Sequence, residues 1–357
     1  MKAMLEWARR YARRPAQCGW VHILTVCLCS LVSCCSSKPS DTLTLRFSHI
    51  LSETSEWHAG ALRWKELVEN RSGGAIQIKV FTNASLSGNN QQTELDMVQA
   101  GSLGASWESS ILLSVVDPRW SIWSLPWLFE SYAEAEEACE GEPGQAMLAL
   151  LPGKRLVGLA YGFNGFRQVT NSKRPIAAPA DLRDLKIRVP SMKMYISLFR
   201  TWGADPSSMN FGELIQALRE GTMDGQENPL HVIRSAGLSE VQKYLTIWDY
   251  SFDPIVLCVN ADLWTRLSSQ QQSILRDSAL EAAKEQRKLV VEREKTYRDE
   301  LAAKGMTVNE LSPGVRRLLR VAAEPVYLEY RPIVGEELFR LFERFVVLSR
   351  RKGSTGL

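Results

Sequence analysis

Hydrophobic and polar residues alternate along 43–48 and again along 75–81, and between them 57–68 repeats its apolar residues at helical spacing. Alternation is typical of a strand with one buried face, whereas a period near 3.6 is typical of an amphipathic helix. Strand, helix and strand in this order predict a βαβ unit within a parallel sheet. The same patterns predict further strands over 156–161, 184–189 and 255–259, and helices over 89–99, 192–202 and 211–219. The first of these strands is expected to stop at Gly162, and the fold class is predicted to be α/β.

The longest helical pattern follows these elements. Ser268 and Gln271 have the spacing of a capping box at its start, and Gly305 is suited to its end. About 36 residues at about 1.5 Å each give roughly 54 Å. That length exceeds one small domain, so this helix is predicted to run along two.

The charge of the chain is concentrated at its start. The sequence has 357 residues, 45% hydrophobic and 23% charged, with a formal charge of +3. Residues 1–33 hold five basic side chains and one acidic one. Removing them from the totals of 43 basic and 40 acidic residues leaves 38 and 39. A nearly neutral remainder offers no electrostatic basis for binding nucleic acid.

The first 33 residues have the pattern of a signal peptide. A basic stretch at 9–14 precedes an apolar stretch at 21–32 that is too short for a comfortable membrane span. The sequence Leu-Val-Ser-Cys at 31–34 resembles the lipobox of bacterial lipoproteins. That resemblance implies lipidation of Cys34, with residues 34–40 as a tether to the membrane. An uncleaved anchor helix is the alternative, and the choice between Cys34 and Cys35 stays open.

The sequence lacks the motifs of common enzymes. It has no Walker phosphate loop, no Gly-x-Gly-x-x-Gly after a strand, no His-Glu-x-x-His and no Gly-x-Ser-x-Gly. Beyond the leader, Cys139 and Cys258 are too far apart in sequence to form a paired metal motif, and Cys258 lies in an apolar run typical of a buried thiol. The protein is therefore expected to be no enzyme, with no cofactor and no bound metal.

Two stretches carry a family resemblance. The first is YGFNGFRQVTNSKRP at 161–175, and the second combines LKIRVP at 185–190 with DGQENP at 224–229. Together they resemble the DctP-like solute-binding proteins of tripartite ATP-independent periplasmic (TRAP) transporters. The resemblance implies a two-lobed periplasmic-binding-protein fold with a cleft between the lobes and the long helix bracing both. It assigns 41–164 and 253–292 to lobe I, and 165–252 and 293–357 to lobe II.

Arg188 is the main candidate for ligand binding. It ends a strand-like run just before Pro190, and strand ends facing a crevice are where open α/β sheets bind ligands. A planar guanidinium can hold a carboxylate through two parallel hydrogen bonds. The resemblance implies this clamp, whereas the alternative is a solvated arginine on an edge strand.

Three further residues of the second lobe are implicated by the resemblance. Arg167 follows Gly165 and is expected to be a second cationic contact, or otherwise a structural ion pair at the hinge. Asn228 is expected to contact the ligand through its amide, or to be a turn residue. Phe211 is expected to pack on the ligand, or to act as a hydrophobic staple. For Gln226 and Glu227, ligand contact and a structural role stay open.

In the first lobe, looser alignment places His49 and Glu108 near the ligand. A helix cap is the alternative for His49, and a surface charge is the alternative for Glu108. Five tryptophans of this lobe suggest either core packing or an aromatic wall that favours an apolar acid; these are Trp57, Trp107, Trp120, Trp123 and Trp127.

The resulting hypothesis is a periplasmic, lipid-anchored protein that captures an organic acid and delivers it to a membrane permease. Two alternatives remain: a scaffold lipoprotein that binds a partner, and a binder of a hydrophobic ligand with no carboxylate clamp. The solute-binding and scaffold hypotheses make different predictions for Arg188. A carboxylate clamp requires its guanidinium to be buried in a cleft, whereas a scaffold does not.

Overall fold

The computed structural model describes residues 42–354, and its strands form one mixed sheet. Within that range the strands are β1 Leu43–Ser48, β2 Ile76–Phe81, β3 Ala105–Ser109, β4 Leu156–Asn171, β5 Lys186–Val189, β6 Asp205–Ser208, β7 Gly225–Pro229, β8 Tyr244–Ile247, β9 Phe252–Asn260 and β10 Thr307–Glu310. Their order across the sheet is β2-β1-β3-β9-β4-β7-β5-β6, and β8 joins β4 to β10.

Helices cover both halves of this sheet. In the described part they are α1 Glu56–Arg71, α2 Gln91–Ala100, α3 Ser110–Val116, α4 Tyr132–Glu140, α5 Glu142–Leu148, α6 Lys193–Thr201, α7 Phe211–Glu220, α8 Leu230–Ser235, α9 Ala261–Arg266, α10 Ser269–Ala303, α11 Pro313–Ala322, α12 Glu324–Val334 and α13 Glu336–Ser354. A 3₁₀ segment occupies Pro118–Ser124. The α/β class predicted from the sequence is confirmed.

The predicted βαβ unit is present, since β1 pairs in parallel with both β2 and β3. At the other end of the sheet β5 pairs in parallel with β6 and β7. Between these parallel ends, β9 is antiparallel to β3 and to β4. The antiparallel centre lets the chain pass from one half of the sheet to the other and return.

The prediction that the strand at 156–161 stops at Gly162 is wrong, because β4 continues to Asn171. Gly162 serves close packing instead of a turn: a Cβ there would lie 2.7 Å from the Gln286 side chain. The chain bends further on, at Gly165, whose φ is +109°. β4 pairs with β9 as far as Phe166 and with β7 from Arg167 onward, so this one strand belongs to both halves.

The long helix α10 braces both halves, as predicted. The capping box of Ser268 and Gln271 is formed, and beyond the last turn Gly305 adopts a φ of +96°. Leu275 belongs to the hydrophobic cluster around β1 and α1, whereas Leu301 belongs to the cluster around α7 and β8. Thirty-five residues are long enough to link these two cores.

The lobe boundaries at 164/165, 252/253 and 292/293 stay a prediction, because the contacts group 41–357 as one compact unit. The predicted signal peptide, the lipidated Cys34 and the tether lie outside the described residues. Between residues 42 and 354, no helix has the length and apolar character needed to cross a membrane.

Candidate functional site

A cavity of about 130 Å³ lies between the two halves of the sheet, where strand ends meet the first turns of α2, α3 and α7. Both halves contribute to its walls. The lining residues are Ile50, Leu51, Trp57, Asn90, Gln91, Gln92, Ser109, Ile111, Leu112, Asn164, Arg167, Arg188, Pro190, Ser191, Met209, Asn210, Phe211, Asn228, Val232 and Asp253. Polar and apolar residues contribute about equally to this lining, and polar groups that converge beside apolar walls are typical of small-molecule sites.

Arg188 reaches this cavity from β5, with only 1% of its surface exposed. Its Nε and Nη2 donate to the carbonyl oxygen of Met209, at 2.9 and 2.6 Å. Within residues 42–354 no carboxylate oxygen lies within 4.0 Å of its guanidinium nitrogens. Burial lowers the pKa of Arg188 to about 10. A desolvated cation without a counter-ion is costly, and an anionic ligand would offset that cost.

Arg167 also lines the cavity, but its charge is matched by protein groups. Its Nε and Nη2 donate to the two carboxylate oxygens of Glu227, the second at 2.8 Å, and Nη1 lies 3.3 Å from Asp253 Oδ2. Burial opposes the charged form, yet the Glu227 carboxylate prevails and the pKa of Arg167 is raised well above its ordinary value. The structural ion pair considered as an alternative for Arg167 is therefore formed, and Glu227 is its carboxylate partner.

Asn228 and Phe211 both reach the cavity wall. Asn228 lies in β7 instead of a turn; its Oδ1 accepts from Arg167 Nη2 at 3.2 Å and its Nδ2 donates to Gln226 Oε1 at 2.5 Å. The amide has a second hydrogen that these two contacts leave available. Phe211 begins α7, and the Arg188 guanidinium carbon lies 6.0 Å from the centre of its ring.

His49 and Glu108 do not line the cavity. His49 is fully buried, and its Nε2 lies 3.1 Å from His58 Nδ1. The helix that follows, α1, is capped by Ser55 and not by His49. Glu108 points into the protein beside Ser106, whose Oγ donates to it at 2.5 Å. Alternation along β3 explains this placement, because the next residue, Ser109, is the one that faces the cavity.

Asp253 and Asn164 are two buried polar lining residues that the sequence patterns did not single out. Asp253 accepts hydrogen bonds from Ser109, Ser110, Asn164 and Arg167. Asn164 in turn accepts from Trp57 Nε1 at 3.2 Å. The sequence did contain one signal for Asp253, which is an aspartate in an otherwise apolar strand-like run. A buried carboxylate needs several hydrogen-bond donors, so such a residue indicates a polar site inside the protein.

Of the five tryptophans, only Trp57 reaches the cavity. The other four lie in the hydrophobic clusters, namely Trp107, Trp120, Trp123 and Trp127. Core packing therefore explains them, and the aromatic wall suggested by the sequence is not formed.

A cavity between two α/β lobes is the arrangement found in the extracytoplasmic solute-binding proteins. The family described as DctP, bacterial extracellular solute-binding protein, family 7, matches residues 47–332. The chain belongs to this family, which consists of TRAP-type solute-binding proteins and not enzymes.

Individual relatives agree with this assignment. The 2,3-diketo-L-gulonate-binding periplasmic protein YiaO of Escherichia coli is 35% identical over 265 residues, which are 74% of this chain and 80% of that one. The sugar-acid-binding protein DctPAm of Advenella mimigardefordensis, solved with galactonate, has a TM-score of 0.82 at 28% identity, covering 85% of this chain and 97% of its own. A TRAP solute-binding protein of Ralstonia eutropha, solved with (S)-2-acetolactate, has a TM-score of 0.82 at 31% identity, covering 85% and 98%.

Proposed function

We propose that this protein binds a small organic acid in the cavity, with Arg188 holding the carboxylate. The observation that carries the proposal is a guanidinium with 1% exposure and no carboxylate within 4.0 Å among the described residues. The clamp would include Asn228, whose amide has a free hydrogen, and Phe211 as an apolar wall. Arg167 would act by orienting Asn228 through Nη2.

The ligands of the relatives support an acid. Diketogulonate, galactonate and acetolactate each carry a carboxylate on a short oxygenated chain. Their binding proteins are 28–35% identical to this chain, and the galactonate and acetolactate binders share its fold. A clamp built from a buried arginine would serve the group that these three ligands have in common.

Membership of the family supports delivery to a TRAP permease. Closure of the two lobes over the acid, with Gly165 in the connecting strand, would create the form that docks on the membrane subunits. Lipidation at Cys34 or Cys35 would keep the protein at the periplasmic face of a bacterial membrane. Incorporation of labelled palmitate into the full chain tests the anchor, and absence of label would contradict it.

Replacing Arg188 by alanine tests the clamp. Loss of one member of a buried charge pair costs about 2–5 kcal/mol, so affinity for the acid should fall roughly 30-fold or more. The exposed Arg183, just before β5, provides the control Arg183→Ala, which should bind as the wild type does. Calorimetry against a panel of organic acids measures both.

An unchanged affinity in Arg188→Ala would contradict the clamp. Protein freed of carried-over ligand by denaturation and refolding should be used, and the released small molecules identified by mass spectrometry. A hydrophobic molecule in that extract would favour the alternative of an apolar ligand.

A further inference from the structure

His231 is a buried histidine outside the cavity lining, on the helix α8 that follows β7. Its Nε2 lies 2.8 Å from the carbonyl oxygen of Asn164 and 3.1 Å from Oδ1 of the same residue. Both oxygens can only accept a hydrogen bond, and the amide is oriented by Nδ2, which donates to Asp253 at 2.7 Å. Nε2 of His231 therefore carries a hydrogen.

The other ring nitrogen of His231 faces a carboxylate. Its Nδ1 lies 3.2 Å from Glu56 Oε2, and neither atom makes an aligned hydrogen bond within the described residues. Burial opposes ionisation of Glu56, but His231 and the hydroxyl of Tyr297 outweigh it, and the pKa of Glu56 is lowered to about 2. A carboxylate that stays ionised favours a proton on Nδ1 as well. The arrangement is therefore that of an imidazolium in ion-pair contact with Glu56.

This ion pair belongs to a ring of contacts that reaches the cavity wall. Glu56 is followed directly by Trp57, whose Nε1 donates to Asn164 Oδ1 at 3.2 Å. Trp57 and Asn164 line the cavity, whereas Glu56 and His231 do not. Trp57 belongs to the hydrophobic cluster around β1, and Ile233 places α8 in the cluster around α7 and β8. The ion pair thus joins the two halves behind the cavity wall.

Other titratable and charged groups surround the pair on four elements. They are Tyr132 at the start of α4, Arg234 on α8, Asp253 on β9, and Arg293, Glu294, Tyr297 and Glu300 on α10. Glu294 shares a small cavity with His231, and burial together with the charge of Asp249 raises the pKa of Glu294 to about 8. Near neutral pH this carboxyl group is mostly uncharged, so the counter-ion of His231 is Glu56.

We propose that His231 is a positioning residue for ligand binding, whose imidazolium holds Asn164 and Trp57 in place at the cavity wall. This inference rests on the proposed function, because it takes the cavity as the ligand site. Imidazole is the side chain whose charge ordinarily changes between pH 5 and 8. Once Nδ1 loses its proton, its lone pair faces the Glu56 carboxylate and attraction gives way to repulsion. The protonated form therefore supports the cavity wall, and ligand affinity falls as pH rises.

Calorimetry between pH 5.5 and 8.5 tests this link with galactonate, erythronate and gulonate as probes, since their carboxylates stay ionised in that range. Coupling between two sites typically changes affinity about 5- to 150-fold. The acid that binds most tightly at pH 5.5 should therefore bind at least about fivefold more weakly at pH 8.5. An affinity that stays constant over this range in the wild-type protein would overturn the proposal.

His231→Gln keeps a donor for Asn164 but cannot become a cation. It should bind the same acid at every pH as weakly as the wild type does at pH 8.5. The control His58→Gln makes the same change on α1, next to Trp57 but outside the ion pair, and should keep the wild-type profile. A pH dependence that persists in His231→Gln would assign it to another group and overturn the proposal.

The protonation of His231 is measured without ligand. Nitrogen NMR on histidine-labelled protein at pH 6 should show both ring nitrogens of His231 protonated. The signal is assigned by its loss in His231→Gln or, if that variant does not fold, by elimination with glutamine variants of the other histidines. A ring with one unprotonated nitrogen would overturn the proposal.

The outcomes separate this inference from the proposed function. An acid whose binding is lost in Arg188→Ala but unchanged in His231→Gln would overturn the positioning role and leave the clamp standing. Failure of the wild-type protein to bind any of the acids would overturn the proposed function and the positioning role with it.

Discussion

Arg167 and Arg188 are both buried arginines, yet their surroundings give them different roles. The carboxylates of Glu227 and Asp253 neutralise Arg167, whereas Arg188 contacts only the carbonyl of Met209. Sequence motifs identified both as binding residues. The difference between them arises from groups 60 and more positions away in the chain, which a local pattern cannot reveal.

Glu94 and Glu108 form a buried acidic pair outside the cavity lining. Glu94 accepts from the Ser48 hydroxyl and Glu108 from that of Ser106. Burial raises the pKa of Glu94 to about 7, and burial together with the nearby Glu94 raises the pKa of Glu108 well above its ordinary value. The folded protein therefore binds a proton here more tightly than the unfolded chain does.

Glu94→Gln should change how stability depends on pH. A raised pKa contributes stability below the unfolded value of about 4.5, and this contribution is lost as pH rises to about 7. Glutamine keeps the neutral form, so the variant should gain up to about 3 kcal/mol over the wild type between those pH values. Urea unfolding at pH 5, 6, 7 and 8 measures this. The exposed Glu142→Gln serves as control, and a Glu94→Gln gain that does not vary with pH would contradict the interpretation.

At the scale of elements, helix-end signals and hydrophobic periodicity correctly located the predicted helices and strands. The capping box at Ser268 and Gln271 marks the start of α10, and alternation located β1 and β2. The exception was β4, where Gly162 was interpreted as a stop. Close approach of Gln286 explains that glycine, and α10 lies more than a hundred residues further along the chain.

Gln286 also ties α10 to β4. Its Oε1 accepts from Phe163 N and its Nε2 donates to Phe163 O, both at 2.8 Å. Opposite Phe163 on β9 lies Pro254, which has no N–H to donate. A side chain on the long helix thus takes the place of a neighbouring strand at this residue.

Gln286→Leu should destabilise the fold by about 2–4 kcal/mol, because it leaves a buried N–H and a buried carbonyl unpaired. Denaturant unfolding measures the loss. Gln270→Leu, at an exposed position in the first turn of the same helix, should cost little by comparison. Equal losses in the two variants would show that the Phe163 contacts are unimportant.

At the scale of the whole molecule, one of the contacts between the halves lies beside the cavity. Asn210 Nδ2 donates to the carbonyl of Asn89 at 3.1 Å, joining the start of α7 to the segment before α2. A Cβ on Gly212 would lie only 2.6 Å from the same carbonyl oxygen. Glycine at this position therefore permits this close approach of the start of α7 to the segment before α2.

Gly212→Ala should weaken ligand binding, since the added methyl group forces the halves apart when the cavity closes. Overpacking costs about 1–3 kcal/mol, which corresponds to roughly 5- to 150-fold in affinity. Stability without ligand should change little, so calorimetry and unliganded melting are measured together. Gly153→Ala, where a Cβ meets nothing within 4 Å, is the control. Unchanged affinity in Gly212→Ala would exclude Asn89 as a closing contact.

The sequence by itself determined the α/β class, the family and the four candidates that reach the cavity: Arg167, Arg188, Phe211 and Asn228. The class follows from periodicity and end signals, whereas the family and these candidates follow from the resemblance that short motifs carry. All of these signals are local properties of the chain. Only the tertiary structure decided that His49 and Glu108 lie outside the cavity, and that β4 runs through both halves. It also decided which arginine keeps an unpaired charge. Burial and charge pairing depend on residues brought together from distant parts of the chain, and no local pattern encodes that proximity.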